Sequence, residues 1–210
     1  HLIGVAEIHY WHGFDRLLKG LANYYIHSPQ YKVYFHIIGD FFNPGEREEY
    51  MSIIKENHLA PYVILHGRQA GQMLDLLFEL CDFGIGSLGR HRSGITNIKT
   101  LKNREYAARG IPFIYSEIDE DFENMPYIMK IPANEEAVDI KQILNFYNQL
   151  HITPLEIRNS IRHLSWNNQM KKVLDEMQKK DKINPNNNNI ANFATLYTNK
   201  FIPNKEKWPH

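Results

Sequence analysis

The segment from Gly94 to Pro112 combines residue types that could bind a phosphorylated sugar derivative. It carries Lys102 and Glu105 in a helical stretch, followed by small residues and by the glycine and proline that precede a strand. A carboxylate in the first turns of a helix can bind the hydroxyls of a ribose. A lysine and the free backbone N–H groups at the same end can face a diphosphate, because a helix N-terminus carries partial positive charge. The segment therefore predicts a site for a nucleotide linked to a sugar.

The composition predicts one main folded domain in which any anion site must be local. The chain has 210 residues, of which 43% are hydrophobic, enough for one sizeable core. The 24 basic and 24 acidic residues cancel, so no overall field attracts nucleic acid or an anionic membrane. We therefore expect no nucleic-acid partner, and we expect a bound diphosphate to be held by a specific cluster of side chains.

The cysteine usage and the lack of targeting signals in the sequence favour the cytoplasm. The single cysteine, Cys81, follows the apolar residues Leu77 and Leu80, so we expect a buried, reduced thiol rather than a disulfide or a metal ligand. The sequence shows neither a signal peptide nor an apolar stretch as long as a membrane span. Because it begins at His1 without a methionine, we expect a trimmed piece of a longer protein with a further domain upstream.

Short apolar runs with strand character alternate with helical patterns along residues 1–150. Six runs predict β-strands: Leu2 to Ala6, Val33 to Ile38, Tyr62 to Leu65, Phe83 to Ile85, Ile111 to Tyr115 and Tyr127 to Ile131. Three stripes at helical spacing predict helices that bury one face: Phe14, Leu17, Leu18 and Leu21; Tyr50, Ile53 and Ile54; Met73, Leu76, Leu77 and Leu80. The alternation predicts an α/β fold, a Rossmann-like doubly wound parallel sheet that binds ligands at the carboxyl ends of its strands.

The later part of the chain has a different pattern. Thr153 and Glu156 match a capping box that opens a helix through Leu164, and residues 170–179 are also typical of a helix. The asparagine-rich run that follows indicates an extended tail. We predict three regions: a nucleotide-sugar-binding domain over residues 1–150, C-terminal helices over 151–181 and an asparagine-rich tail over 182–210.

Five segments resemble one enzyme family in their order and spacing: WHGFDRLLKGL, HIIGD, VILHGR, DFGIGSLGRHR and LKNREYAARGIPF. Over roughly residues 2–147 the chain resembles the C-terminal, donor-binding half of group 1 (family 4) glycosyltransferases of the GT-B fold. The resemblance implies binding of a UDP- or GDP-linked sugar and transfer of that sugar to a glycan or lipid-linked acceptor, in polysaccharide biosynthesis. It also implies transfer without a metal ion or other cofactor, with retention at the anomeric carbon.

The resemblance also places part of the active site outside this chain. In this family the acceptor, and often the catalytic base, belong to the N-terminal domain, and the cleft between the two domains closes over the donor. The implied catalytic residues are therefore in the missing domain, and the piece alone is expected to bind the donor without transferring its sugar. The implied full-length enzyme is cytoplasmic and associates peripherally with the inner face of the membrane.

The resemblance assigns ligand roles to individual residues. Glu105 matches the second of two family glutamates, which binds the donor ribose, whereas the first matches Asn97. An amide keeps hydrogen-bonding capacity without charge, so this difference predicts altered sugar selectivity. The family's Lys-Gly at the start of the first helix is replaced by His12-Gly13, with Trp11 where an arginine is common. Two cations that would face the diphosphate are therefore missing.

Basic residues elsewhere in the chain could replace these cations. We predict that Arg90, Arg92 and Lys102 do so, since a diphosphate accepts charge-assisted hydrogen bonds from any direction. His91 and Lys99 are further candidates for the same role.

Glycines that follow predicted strands complete the expected site. Gly13 and Gly39 would let the backbone approach phosphate and sugar, and Gly67 with Arg68 follows the third strand, where the family seats the base. The GIGSLG segment at residues 84–89 has the spacing of a dinucleotide fingerprint. We attribute that match to chance, because two of its glycines fall inside the fourth strand and a basic loop follows.

Plainer interpretations stay open for the same residues. Lys102 and Glu105 are three positions apart on one helix, the spacing of an ordinary surface ion pair. Arg90 and Arg92 fit a solvated loop, and His12 could cap or pack beside the first helix. For the whole chain, the alternatives are a sugar-nucleotide epimerase of similar fold, which needs further acid and base groups, and a non-catalytic nucleotide-binding or scaffold module.

Overall fold

The structure is a computed structural model that describes residues 1–183 of the chain. Two compact units are present, His1–Asn159 and a second unit that begins at Ser160. The predicted division at residues 150 and 181 stays a prediction, and the asparagine-rich run lies outside the described residues.

The first unit is built on a sheet of six parallel strands. The strands are β1 (Leu2–Val5), β2 (Phe35–Ile38), β3 (Val63–Gly67), β4 (Phe83–Ile85), β5 (Phe113–Tyr115) and β6 (Ile128–Lys130). Their order across the sheet is β3-β2-β1-β4-β5-β6, and every neighbouring pair is parallel. This is the order of a doubly wound sheet, so the predicted α/β fold and the six predicted strands are confirmed.

Helices and short 3₁₀ turns make the connections, since parallel strands need crossovers. The helices are α1 (Phe14–Tyr25), α2 (Pro44–Glu56), α3 (Gly71–Leu80), α4 (Leu101–Arg109), α5 (Ile140–Asn148), α6 (Pro154–Ser160) and α7 (Trp166–Ile183). The 3₁₀ turns are Tyr10–His12, Arg90–Ser93 and Arg162–Leu164. Within the described part of the chain, none of the helices combines the length and apolarity that crossing a membrane would require.

The core lies between the sheet and the apolar faces of its helices. All four residues of the stripe predicted for α1 are fully buried: Phe14, Leu17, Leu18 and Leu21. On α2, Tyr50 and Ile54 are buried and Ile53 packs against the core. Cys81 is a buried free thiol, as predicted, and burial raises its pKa to about 12. This buried thiol is therefore a poor nucleophile at neutral pH.

The helix predicted for α3 is present, and Leu77 is buried as predicted, but the other three residues of its predicted stripe are not. Met73, Leu76 and Leu80 are each about half exposed, whereas Leu77 and Phe78 are buried. The helix turns Phe78 inward, where its ring lies edge-on to the ring of Tyr106 at 6.0 Å between centroids. An aromatic side chain buries more area than a leucine, and this contact fixes a face that the spacing of the leucines does not indicate.

Helix α4, which carries two of the predicted ligand residues, has a defined start and end. Thr100 caps it, because its Oγ1 accepts a hydrogen bond from the backbone N–H of Asn103 at 3.3 Å. Gly110 ends the helix in the left-handed region with φ 76°, and a Cβ there would lie 2.5 Å from the carbonyl oxygen of Pro154. Lys102 is therefore held in the first turn of the helix, beside the end of β4.

The predicted capping box at Thr153 is confirmed. The backbone N–H of Thr153 donates to Glu156 at 2.7 Å, and the N–H of Glu156 donates to the Thr153 hydroxyl at 3.2 Å. The helix α6 that follows ends at Ser160 rather than at Leu164, because a separate 3₁₀ turn forms over Arg162–Leu164.

Candidate functional site

The strand order places a switch point between β1 and β4. The chain leaves β1 toward β2 on one side and leaves β4 toward β5 on the other, so the loops after these strands diverge and open a crevice at their carboxyl ends. Two of these loops touch directly. The N–H of Leu88 donates to the carbonyl of His12 at 2.9 Å, and a Cβ on Gly13 would lie 2.6 Å from the backbone N of Gly89. Gly13, with φ 64°, thus permits a close approach of the two loops.

His12 is buried at this switch point as a neutral imidazole. Its side chain is almost inaccessible, and its Nδ1 accepts a hydrogen bond from the N–H of His9 at 3.0 Å. Burial, and then the nearby charges of Lys102 and Arg90, lower its pKa to about 2. Because Nδ1 is an acceptor, the neutral ring carries its proton on Nε2 and offers one N–H donor. His12 therefore does not supply the positive charge of the lysine expected at this position.

Lys102 supplies a positive group at the same place from α4. Its Nζ is buried and has no hydrogen-bond partner among the described residues. The amine lies 5.3 Å from the centroid of the Phe14 ring. Burial, assisted by Arg90 and opposed by Glu117, lowers the pKa of Lys102 to about 7. The simple surface ion pair between Lys102 and Glu105 is not formed, because Glu105 pairs with Arg109 instead.

Arg90 is the second unpaired cation. It begins the 3₁₀ turn after β4, and its guanidinium lies 5.6 Å from the ring centroid of Trp11. Its buried Nε lacks a hydrogen-bond partner within the part of the chain that the structure describes. Burial lowers the pKa of Arg90, opposed by Glu117. A guanidinium that is partly desolvated and only stacked on an aromatic ring keeps donors free for an anion.

Glu117 completes the group and was not among the residues predicted from the sequence. It follows β5, is 3% exposed, and neither carboxylate oxygen has a hydrogen-bond partner within residues 1–183. Burial raises its pKa, while the charges of Lys102 and Arg90 oppose the rise. The backbone N–H groups of Glu117 and Ser116 also oppose the rise by interacting with the carboxylate, although neither makes a well-formed hydrogen bond to it. In the sequence Glu117 is one of several acids in a loop, so no local pattern distinguishes it.

We call His12, Arg90, Lys102 and Glu117 the switch-point cluster. They come from the loops after β1, β4 and β5 and from the first turn of α4. The cluster joins two cations, a neutral N–H donor and one acceptor in a partly desolvated place. Such a set can neutralise a diphosphate with fixed groups and still accept a hydrogen bond from a hydroxyl.

Arg92, predicted to act with Arg90, is bound elsewhere. It donates two hydrogen bonds to the Asp15 carboxylate, at 2.8 and 2.9 Å, and further hydrogen bonds to Glu135. These two carboxylates raise its pKa. His91 also bonds Glu135, at 2.6 Å. The donors of Arg92 are thus occupied within the protein, and the structure does not bring this arginine into the switch-point cluster.

Glu105 and Asn97 lie outside the buried group. Glu105 is 41% exposed and accepts hydrogen bonds from Arg109 at 3.2 Å, and Arg109 also donates to Asp75 at 2.7 Å. Asn97 is exposed, and its loop is tied to the β5 loop by an isolated parallel bridge to Ile118. Lys99 is paired with acidic residues of that same β5 loop, Glu120 and Asp121.

A cavity of about 380 Å³ adjoins the carboxyl ends of β1, β2 and β3. Gly39 and Arg68 are among its lining residues, so the structure does bring these two predicted residues together. A Cβ on Gly39, which has φ 122°, would lie 1.7 Å from the carbonyl oxygen of Ala6. Gly67 accepts a hydrogen bond from the N–H of Gly39 at 2.8 Å. Arg68 is 73% exposed and lies 3.5 Å from Asp40.

Comparison with known proteins gives matches among solved structures. No protein-family model matches the sequence, and no curated protein matches it significantly. A glycosyltransferase from Rickettsia africae ESF-5 matches with a TM-score of 0.65 at 18% identity, over 85% of this chain and 47% of that one. HepE from Anabaena in complex with UDP matches with a TM-score of 0.60 at 17% identity, over 83% and 48%.

A third match concerns a separate domain. The C-terminal domain of a group 1 glycosyl transferase (LpcC) from Francisella tularensis has a TM-score of 0.52 at 13% identity, over 77% of this chain and 84% of that one. By contrast, the chain spans about half the length of the first two structures, 47% and 48%. The chain therefore has the Rossmann-like fold of one half of the GT-B glycosyltransferases, as its sequence resemblance predicts.

Proposed function

We propose that the chain is the donor-binding half of a glycosyltransferase and holds a nucleotide-diphosphate sugar at the carboxyl ends of β1, β4 and β5. The observation that carries the proposal is the presence of two partly buried basic side chains at the switch point, Lys102 and Arg90, each with a buried nitrogen that no group of the described chain hydrogen-bonds. Doubly wound sheets bind their ligands at this place. The fold similarity to glycosyltransferases, one of them solved with UDP, supports this class of ligand.

The switch-point cluster would bind the diphosphate. Lys102 and Arg90 provide two charge-assisted donors in place of the lysine and arginine that the resemblance places at His12 and Trp11. His12 adds a neutral donor through Nε2. When the bond between the sugar and the diphosphate breaks, negative charge grows on the leaving phosphate, and fixed donors stabilise that charge without having to reorganise. The protein's own cations would then perform a role that many enzymes give to a metal ion.

Glu105 is our candidate for the ribose hydroxyls. Its side chain is half exposed, and the partner that it would release, Arg109, keeps a hydrogen bond to Asp75. Rotation of Glu105 toward a ribose therefore leaves no buried charge unpaired. The cavity lined by Gly39 and Arg68 is our candidate for the base, and the carbonyl of Gly67 holds Gly39 in place by accepting a hydrogen bond from its N–H.

Transfer itself needs groups beyond this chain. We propose that the acceptor, a glycan or a lipid-linked sugar of polysaccharide biosynthesis, and the catalytic base belong to an N-terminal half. The support is the chain's length, about half that of the glycosyltransferase structures that it matches. Binding of the donor is accordingly the property to test on this chain.

The first test is titration of UDP and GDP by isothermal calorimetry into the wild type, Lys102→Met and Lys99→Met. We expect the wild type to bind one of the nucleotides and Lys102→Met to bind it about 10- to 100-fold more weakly, because a hydrogen bond to a charged group contributes roughly 1.5–3 kcal/mol. Lys99 is exposed and paired on the surface, so Lys99→Met should bind like the wild type. If the wild type binds neither nucleotide, the proposal is wrong.

The second test separates ribose from diphosphate. Glu105→Ala should weaken UDP or GDP binding while leaving inorganic pyrophosphate binding unchanged, because only the nucleotide has a ribose. Glu79→Ala, at an exposed glutamate on the neighbouring helix α3, is the matched control and should change neither. Equal nucleotide affinities for the wild type and Glu105→Ala would contradict the ribose assignment alone.

A further inference from the structure

The backbone around Glu117 is fixed, and neither carboxylate oxygen makes a well-formed hydrogen bond to the described residues. The backbone on either side is held by hydrogen bonds: the N–H of Ser116 donates to the carbonyl of Ser87 at 3.0 Å, and the N–H of Ile118 donates to the carbonyl of Thr96 at 2.8 Å. The Lys130 ammonium donates to the carbonyl of Glu117 itself. The side chain is 3% exposed. Glu117 is therefore a buried acid on a well-anchored stretch of backbone.

The charges around Glu117 lie close enough to interact but do not pair with it. Lys102 and Arg90 both act on its charge, yet among the described residues no salt bridge or hydrogen bond joins Glu117 to either of them. Burying an unpaired carboxylate is costly, and contact with a cation would reduce that cost. The three side chains therefore bring two cationic donors and one acceptor near one another without hydrogen bonds among them.

The chemistry of these three side chains matches the two parts of a sugar nucleotide. A phosphate can bind Lys102 and Arg90, because their charges are opposite to its own. The negative charge of Glu117 would repel the same phosphate. An ionised carboxylate accepts hydrogen bonds and offers no donor, so the group that suits Glu117 must donate, as a sugar hydroxyl does. A nucleoside diphosphate alone would satisfy the cations and leave Glu117 without a partner.

We propose, on the basis of the function proposed above, that Glu117 accepts hydrogen bonds from hydroxyls of the transferred sugar and so distinguishes a sugar nucleotide from a free nucleoside diphosphate. The loop geometry supports this role. The sequence resemblance places a carboxylate at Asn97, where this chain has an amide that is exposed. The parallel bridge between Asn97 and Ile118 brings the two loops together, so Glu117, next to Ile118, supplies a carboxylate from the β5 loop instead.

The test compares sugar nucleotides with the corresponding free nucleotides. The wild type, Glu117→Gln and Glu120→Gln are titrated with UDP, UDP-glucose, GDP and GDP-mannose by calorimetry. Glu117→Gln keeps the side-chain shape but replaces a charged acceptor with a neutral one, so its affinity for the bound sugar nucleotide should fall about tenfold. Its affinity for the free nucleotide should be unchanged or higher, because a repulsive charge is lost. Glu120 lies on the same loop and is 73% exposed, so Glu120→Gln should match the wild type throughout.

A second variant, Glu117→Asp, keeps the inference testable if Glu117→Gln does not fold. Glu117→Asp keeps the charge and shortens its reach, so it too should weaken sugar-nucleotide binding selectively, and thermal melting checks that both variants fold. Equal weakening of free and sugar-linked nucleotides, or no change in their ratio in either variant, would overturn the role of Glu117 while leaving the proposed function intact. Failure of the wild type to bind any of the four ligands would overturn the proposed function and this inference together.

Discussion

Arg90 and Arg92 lie two residues apart in the same 3₁₀ turn, yet the fold gives them opposite surroundings. Arg92 bonds two carboxylates, Asp15 and Glu135. Arg90 stacks on Trp11 and keeps its buried Nε without a hydrogen bond to the described chain. Because a buried donor is normally satisfied, we assign Arg92 to the scaffold and propose that Arg90 binds the ligand.

The same contrast extends to larger regions. Beside Arg92, the buried Arg16 donates to the carbonyl of Glu136 at 2.8 Å, to the side chain of Asn134 at 2.9 Å and to the carbonyl of Leu88. In the switch-point cluster, by contrast, the buried nitrogens of Lys102 and Arg90 and the carboxylate oxygens of Glu117 have no hydrogen-bond partner among the described residues. A network in which every polar group is hydrogen-bonded stabilises one conformation of the protein. Buried polar groups without partners are costly, and a ligand that bonds them removes that cost. We therefore propose that the pairing of buried charged side chains, rather than their burial or charge alone, distinguishes the scaffold from the site.

The largest expected effect is a loss of stability when the hydrogen-bonded network around Arg16 is broken. Arg16→Met should lower the free energy of unfolding by about 3 to 5 kcal/mol, because it leaves several buried carbonyl oxygens without donors. Urea unfolding followed by circular dichroism measures this change. A loss below about 1 kcal/mol would show that the Arg16 hydrogen bonds do not stabilise the scaffold.

A comparison of variants at Arg90 and Arg92 tests the contrast most directly. Arg92→Met should lower the free energy of unfolding by about 2 to 4 kcal/mol, because Asp15, 5% exposed, loses its bidentate partner. The same variant should bind nucleoside diphosphate normally while folded. Arg90→Met should show the reverse, with unchanged stability and affinity lowered about tenfold. If both variants lose stability and both keep affinity, the contrast between the two arginines is wrong.

The affinity for nucleoside diphosphate should fall as the pH rises above about 7, the pKa of Lys102 in the empty site. A bound diphosphate favours the ammonium form and raises this pKa, so binding above pH 7 takes up a proton, and affinity falls by at most about tenfold per pH unit. Below pH 7 Lys102 is already protonated in the empty site, so its contribution to the affinity no longer changes with pH. Glu117, Arg90 and His12 face the same amine, and Arg90 stays charged while His12 stays neutral over this range.

To isolate the contribution of Lys102, the affinity for nucleoside diphosphate is measured by calorimetry between pH 6.5 and 9 for the wild type and for Lys102→Met. Titration of the ligand's own phosphate is common to both proteins and cancels in the ratio of their affinities. A ratio that does not change between pH 7 and 9 would mean that Lys102 does not bind the diphosphate.

The smallest expected effect is on the stability of the empty protein. Lys102→Met should be at least as stable as the wild type at pH 7, because it removes a buried amine that has no hydrogen bond to lose. Burial lowers the folded pKa of Lys102 to about 7 from 10.5. Between these values the unfolded wild type binds more protons than the folded one, so its stability rises with pH. Urea unfolding at pH 7 and 9 should therefore show the advantage of Lys102→Met shrinking at the higher pH.

Much of the architecture could be predicted from the sequence, because it depends on local patterns. Short strands alternating with amphipathic helices specify a doubly wound sheet, and the stripe on α1 is buried as its spacing predicts. The stripe on α3 failed because Phe78 outweighs the leucines in choosing the buried face. The helix predicted through Leu164 failed for a similar reason: the capping box specifies the start of α6, and nothing comparable in the sequence specifies its end.

The sequence by itself determined which segments of the chain form strands and which kinds of charged residue follow them. The tertiary structure alone decided which of those charges are neutralised. Arg92 meets Asp15 across 77 positions of the chain, Lys102 turns toward Phe14 rather than toward Glu105, and Glu117 enters the site from a third strand. The physical reason is that propensity and periodicity act over one or two turns, whereas the pairing of buried charges depends on long-range packing, which brings distant loops to the same end of the sheet.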